Sequence, residues 1–318
     1  MAGRRGGIPL SASPVPQLPP SMRVFERGWL SANNILFVDG DDTVLVDTGY
    51  VTHAPQTVAL VAAALQGRPL ARVINTHLHS DHCGGNAALQ ARWQPRTAIP
   101  AAEAAAVAAW DTEALSYNAT GQQCDRFTFD SVLNDGDTLR LAGIDWQVVA
   151  APGHDPHAVM LFAPAGRILV SGDALWENGF GVIFPELDGE SGFAEQAAVL
   201  ERIAQLGARL VIPGHGRMFT DVAAAVERAQ GRLAYLSADP ARNASHAVKV
   251  LVKFKLLEQQ RMAQDALVAW MEAAPLMVRI RQRFMPGLEM AEVCAQTVRA
   301  LAGVKALAVE GEWVVNRD

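Results

Sequence analysis

Cysteine is scarce in this chain, with three in 318 residues at positions 83, 124 and 294 and no CxxC pair among them. That excludes a disulfide framework and fits a reducing compartment. Long apolar runs are also missing, since no uninterrupted stretch reaches the ~18 residues a bilayer-spanning helix needs. The first 21 residues carry arginines followed by Gly, Pro and Ser, without the apolar h-region of a secretory leader. Residues 1–21 are therefore expected to be a disordered N-terminal arm, and the protein a cytoplasmic one with no membrane partner. An excess of positive charge is absent too. The formal net charge of −6 argues against a general nucleic-acid binder. Half of the residues are apolar and 19% are charged, a composition that supports a sizeable buried core.

Against that background, one segment is dense in chemistry. Thr76-His77-Leu78-His79-Ser80-Asp81-His82 places three of the eight histidines and one carboxylate within six positions. Neutral imidazole and carboxylate are the ligand set that suits zinc and its borderline neighbours. Residues 71–76 have the pattern of a short buried strand, and the stretch from Gly84 to Trp93 that of a helix start. The histidines then fall at the carboxyl end of a strand, where open α/β layers build their sites. The spacing lets His77 and His79 point one way while Asp81 and His82 turn to a neighbouring point, a geometry for two metals. Cys83 adjoins the motif and is expected to face the following helix as a small hydrophobe instead of serving as a ligand.

Three later positions repeat the device. Ala151-Pro152-Gly153-His154 follows a strand with a tight turn, Val170-Ser171-Gly172-Asp173 sets a carboxylate directly after a buried strand, and Ile212-Pro213-Gly214-His215-Gly216 frames another histidine with glycines. Packing alone does not require polar residues at four strand ends.

Along the chain, strands are expected at 23–26, 34–38 and 43–47, the last two joined by an Asp-Gly hairpin turn. Helices are expected at 55–66 and, in an alanine-rich stretch, at 101–116. A second strand set spans 138–141, 145–149, 159–162 and 167–170, followed by a helix at 193–206, a strand at 209–212 and a helix at 221–236. This pattern implies two sheets packed face to face with helices outside. After Asp239-Pro240 the character changes: residues 246–272 have a continuous helical pattern, two further helices follow, and 306–315 form a terminal hairpin on Glu310-Gly311. The chain divides into a 22–238 catalytic domain and a 239–318 helical extension for which a winged-helix-like form is one arrangement. Its apolar helices can pack on their own domain or on a second subunit, leaving a homo-oligomer open.

The set His77, His79, Asp81, His82, His154, Asp173 and His215 resembles the five-motif signature of the metallo-β-lactamase-fold hydrolases, and Val46-Asp47-Thr48-Gly49 resembles that family's early motif. The resemblance covers roughly residues 22–236. It implies an α/β (α+β) chain folded as an αββα sandwich with a dinuclear metal site at one edge. By the same resemblance His77, His79 and His154 hold the first metal, Asp81, His82 and His215 the second, and Asp173 bridges both. Two zinc ions are the expected cofactors, with iron or manganese as substitutes. A hydroxide between two cations is a nucleophile at neutral pH without a protein base, and Asp81 can both ligate and orient it as the catalytic residue. Asp47 and Thr48 are expected to support the ligands or shape the loop.

Departures from subfamily patterns narrow the substrate. True zinc β-lactamases lack the bridging carboxylate, so Asp173 points to the thioesterase, lactonase and phosphodiesterase branches. Only 41 residues separate Asp173 from His215, too few for the inserted domain of the large RNA-processing members. Glyoxalase II resembles the chain in its ligands, but the glutathione-holding residues that follow its bridging aspartate have no counterpart in residues 174–184. That segment instead offers Trp176, Phe180 and Phe184 as an apolar wall. The expected activity is cleavage of a small-molecule thioester, lactone or related ester. The alternatives are a single-stranded RNA or phosphodiester hydrolase, with Lys249, Lys253, Lys255 and Arg261 tracking phosphates, and an iron-dependent persulfide dioxygenase. His157 is expected to support the site or lie exposed.

Overall fold

The computed structural model describes residues 17–317. The expected disordered arm falls mostly on residues 1–16, outside the described residues. Residues 17–21 pack onto the sheet: Leu18 lies against the inter-sheet core and the Ser21 carbonyl accepts from the Val38 amide at 2.8 Å.

Fourteen strands and twelve α-helices make up the described chain. The first sheet contains β1 (Met22–Phe25), β2 (Asn34–Asp39), β3 (Asp42–Val46), β4 (Arg72–Ile74), β5 (Arg96–Pro100) and β6 (Ser131–Leu133) in that order. The second contains β7 (Thr138–Leu141), β8 (Ile144–Ala150), β9 (Val159–Ala163), β10 (Ile168–Gly172) and β11 (Leu210–Pro213). Helices α1 (Ala54–Leu65), α2 (Ser80–Cys83), α3 (Asn86–Trp93), α4 (Ala104–Ala109) and α5 (Tyr117–Thr120) belong to the first half. Helices α6 (Pro185–Asp188), α7 (Phe193–Leu206) and α8 (Val222–Ser237) belong to the second.

The period-2 alternation of strand side chains sorts the layers. Ile35 and Phe37 of β2, with Val44 and Val46 of β3, face the second sheet and meet Trp146, Val148, Leu161 and Val170. Phe37 and Trp146 pack edge to face at 5.4 Å. Between them on the same strands, Leu36 and Leu45 point outward against Val61 and Leu65 of α1 and Leu89 of α3. On the far side, Met160, Leu169 and Val211 of the second sheet bury against Val199 and Ile203 of α7 and Val226 of α8. The result is the expected four-layer αββα order.

The hairpin between β2 and β3 closes with Asp39 opposite Asp42 and Gly40 at φ +58°. Two expected helices take other forms. The alanine-rich segment is helical only through α4, because Trp110 adopts a left-handed conformation at φ +55° as its ring packs on Phe127. The Asp111 carboxylate then accepts from the amides of Glu113 and Ala114, starting a turn in place of another helical turn.

The extension comprises α9 (Pro240–Gln259), β12 (Arg261–Ala263), α10 (Gln264–Ala273), α11 (Pro275–Phe284), α12 (Met290–Gly303), β13 (Leu307–Glu310) and β14 (Trp313–Asn316). Helix α9 starts at Pro240, capped by the Asp239 carboxylate accepting from Ala241. The continuous helix expected at 246–272 breaks at Gln260, whose φ is +61°. The next three residues pair with β14 instead, and the Asn316 amide donates to the Gln260 carbonyl. With the terminal hairpin, β12 completes a three-stranded sheet ordered β12-β14-β13, so the helical extension carries a small wing.

Candidate metal centre

The seven side chains converge from four strand ends on one rim of the sandwich. His77 and His79 follow β4, Asp81 and His82 ride on the single turn α2, His154 follows β8, Asp173 follows β10 and His215 follows β11. Strands β10 and β11 run parallel with Gly172 opposite Pro213, which brings Asp173 and His215 out side by side. Gly214 is required there, because a Cβ at that position would collide with the Asp173 carboxylate and the His82 ring.

Donor atoms of His77, His79 and His154 lie within 4.8 Å of one another, as do those of His77, His82 and Asp173 and those of Asp81, His82 and His215. His79 Nδ1 faces His154 Nε2 at 2.8 Å, and His215 Nε2 faces Asp81 Oδ2 at 3.0 Å. Asp173 sits between the groups. Its Oδ1 is 3.4 Å from His82 Nε2, and its Oδ2 is 3.6 Å from His154 Nε2 and 3.8 Å from His215 Nε2. The Nε2 atoms of His77 and His82 are buried and make no hydrogen bond among the described residues. Buried polar atoms left without partners are uncommon. Two orphaned imidazole nitrogens beside a carboxylate fit a cation.

The outer contacts fix which nitrogen each ring presents. Asp47 accepts from the Thr76 amide at 2.9 Å and the Thr76 hydroxyl at 2.8 Å, and its Oδ2 lies 2.8 Å from His82 Nδ1. It holds this post from a left-handed backbone at φ +57°, a conformation that costs energy for a non-glycine residue. Thr48 bonds Asn86 and the His82 carbonyl, tying α2 to α3. His154 Nδ1 is taken by the Val182 carbonyl, which turns its Nε2 inward.

Charge follows from this packing. Burial, aided by neighbouring imidazoles, pulls His77 well below the ordinary histidine range and His154 down to about 4. Burial also lowers His79. These rings are therefore neutral, the form that ligates metals. At His82 burial is outweighed by Asp173 and Asp47, which push its pKa well up. Two carboxylates thus demand positive charge at this ring, and a proton and a metal compete for it. Asp173 is held well below the usual carboxylate range, its burial overcome by His215 and His82. Asp81 is lowered likewise, its burial overcome by the His215 hydrogen bond and the His82 charge.

Other expected residues are divided by the structure. Cys83 is buried beside Ile99 and Tyr117, with its thiol toward the Leu78 carbonyl. Its Sγ is 3.8 Å from that of Cys124, a proximity that 41 positions of sequence separation conceal. Trp176 and Phe184 line the cavity over the site, and Phe184 packs edge-on to His79 at 5.2 Å. Phe180 does not, being buried in the core under α8. His157 is exposed and its ring bonds Glu103 at 2.7 Å. Of the four basic positions, Lys253 is tied to the carbonyls of Ala306 and Arg317, Lys255 pairs with Glu258 at 2.8 Å, and Arg261 stacks on Trp313. They form no common track.

Two participants were not anticipated. Asp155 Oδ2 lies 3.5 Å from the outward Nε2 of His79, and its Oδ1 accepts from the His157 amide. Trp29 stacks in parallel on His215 at 5.4 Å, with Trp176 edge-on to both. An acid directly after His154 was visible in sequence. Nothing local marks Trp29, which reaches the site across the sandwich.

Residues 27–215 match the metallo-beta-lactamase superfamily. The chain belongs to that superfamily. Among its curated relatives, a hydroxyacylglutathione hydrolase from Chromohalobacter salexigens is 33% identical over 178 residues, covering 55% of this chain and 57% of that protein. The chain spans about three-fifths of the length of the curated relatives it matches. A metallo-beta-lactamase family protein from Thermus thermophilus superposes with a TM-score of 0.56 at 19% identity, over 95% of this chain and all of that one. Its fold thus includes the extension. A third protein, solved in a di-iron-bound form, superposes with a TM-score of 0.52 at 26% identity over 65% of this chain and 98% of that one. Among the described residues no helix is long and apolar enough to cross a membrane.

Proposed function

We propose that the protein is a dinuclear metal-dependent hydrolase that cleaves a small-molecule thioester, lactone or related ester. The observation that carries this reading is the position of Asp173, whose two oxygens lie within 3.4–3.8 Å of His82, His154 and His215 and so link both donor groups. His77, His79 and His154 would hold one cation and Asp81, His82 and His215 the other, with Asp173 shared. Two divalent cations supply Lewis acidity and bring the pKa of a water near neutrality. The chain's residues do the rest. Asp81, hydrogen-bonded to His215, orients the attacking water. Asp47 keeps His82 presented through one nitrogen. Trp176, Phe184 and the apolar side chains of α9 shield the scissile bond from bulk water.

The hydroxyacylglutathione hydrolase relatives favour a thioester, and zinc is the first choice of metal. The neighbour in a di-iron-bound form keeps iron in view, since imidazole and carboxylate accept both. The dispersal of Lys253, Lys255 and Arg261 removes support from the phosphodiester reading. Elemental analysis of the purified protein, paired with a thioester, lactone, nitrocefin and phosphodiester panel, tests the proposal. Two zinc per chain with thioester or lactone turnover is the expected result. One iron per chain without hydrolysis would replace the proposal by the oxygen-using alternative.

A further inference from the structure

The site opens into a cavity of about 600 Å³, large enough for a substrate well beyond the scissile group. Its lining includes Asp81, Asp173 and His215 of the metal centre, the apolar Phe184 and Phe254, and a basic group of Arg232, His246 and Lys249. Arg232 comes from α8 and the other two from consecutive turns of α9.

Among the described residues Arg232 and Lys249 of this basic group make no ion pair. The Arg232 guanidinium is half-buried, lies over the Phe180 ring at 5.5 Å and donates to His246 Nε2 at 2.7 Å. It has no carboxylate partner among the described residues. Accepting that bond requires His246 to be neutral, and burial together with Arg232 and Lys249 lowers its pKa to about 4. Lys249 is partly buried and makes no ion pair among the described residues. Asp239 pairs with Arg242 at 3.7 Å, and Glu177 is exposed on the rim, where Arg228 holds its backbone carbonyl. A partly desolvated guanidinium next to a second cation is costly unless an anion completes it. Its planar fork matches a carboxylate or phosphate.

We propose that Arg232 and Lys249, with His246 between them, form an anion subsite holding a carboxylate or phosphate of the substrate. The reacting carbonyl then lies at the His/Asp centre. This deepens, and rests on, the hydrolase reading above. The substrate class it names is an anionic thioester or ester with an apolar segment that fits the apolar lining of the cavity. The geometry leaves two sources for the charge, a carboxylate on the acyl chain or a phosphate on the leaving thiol.

The test compares wild type with Arg232→Gln and Lys249→Gln on three thioesters: neutral butyryl-N-acetylcysteamine, its succinyl counterpart, and butyryl-phosphopantetheine. In the wild type, kcat/KM for one anionic substrate should exceed that for the neutral one by roughly ten- to a hundredfold, as expected for charged hydrogen bonds. That ratio should fall toward one in each variant, chiefly through KM. Whichever of the two anionic substrates shows the advantage identifies the source. Calorimetric titration of the metal-loaded proteins with inorganic phosphate provides a readout independent of turnover, and the variants should bind it at least about tenfold more weakly. Equal phosphate affinity in wild type and both variants would overturn the subsite. If no thioester is hydrolysed at all, the hydrolase reading fails while the phosphate titration still decides the subsite. Should Arg232→Gln fail to fold, Lys249→Gln, on a partly exposed face of α9, carries the test.

Discussion

At the His/Asp end of the cavity nearly every charged group has its answer. Asp173 faces three imidazoles, Asp81 meets His215, and Asp47 is bound by Thr76 and His82. In the same cavity, Arg232 donates to a neutral imidazole, His246, and Arg232 and Lys249 make no ion pair among the described residues. The His/Asp centre rises from sheet strands, whose ladder holds side chains in register whatever occupies the site. The basic group is built from two helices, α8 and α9, with few constraints on which residue types line it. A reaction centre has to be rigid and internally balanced, whereas a recognition end is completed by what it binds. That separation suits a fold whose chemistry stays constant while its substrates differ.

Four substitutions test the contrast, beginning where the effect is greatest. Asp173→Ala removes the group linking both donor clusters. Turnover should fall by more than the ~100-fold typical of losing a supporting partner, with at least one metal equivalent lost in elemental analysis and a far-ultraviolet circular dichroism spectrum like that of wild type. Retention of both metals would show that Asp173 is not shared. Asp47→Asn keeps the size of the side chain but loses the charge behind His82. A loss of about 10- to 100-fold in metal affinity is expected by competition with a chromophoric chelator, and wild-type affinity would relegate Asp47 to loop-shaping.

Trp29→Ala removes the ring stacked on His215. Aromatic stacking of ~0.5–1.5 kcal/mol corresponds to roughly a two- to tenfold weaker second metal by the same titration, and no change would make Trp29 a bystander. The smallest effect concerns His157, whose pKa is raised above the ordinary value chiefly by its bond to Glu103. A raised histidine contributes stability that is full below the unfolded pKa of ~6.5 and is lost as pH rises through the folded value. The Tm difference between wild type and His157→Gln should therefore be larger at pH 5.5 than at pH 8.5, and a pH-independent difference would remove the pair as its cause.

Much of the fold was legible because strand and helix periods leave strong marks. Apolar runs at 34–38 and 43–47 marked β2 and β3, and Asp39-Gly40 marked their turn. The misread elements share a cause. Residues 101–116 and 246–272 have helical propensity throughout, but packing of the Trp110 ring and pairing of residues 261–263 with β14 override it. Local propensity carries no information about partners distant in sequence.

The candidate site divides in the same way. Histidine and aspartate at four strand ends were readable from sequence alone, because such residues have no packing reason to be there. So was the αββα order, since it follows from which side chains prefer to leave water. Tertiary structure alone decided that Trp29 covers His215, that Cys83 and Cys124 meet, and that of four basic positions only Lys249 stands with Arg232 and His246. Each of these depends on the distance between segments remote along the chain, and that distance is set by how sheets and helices stack.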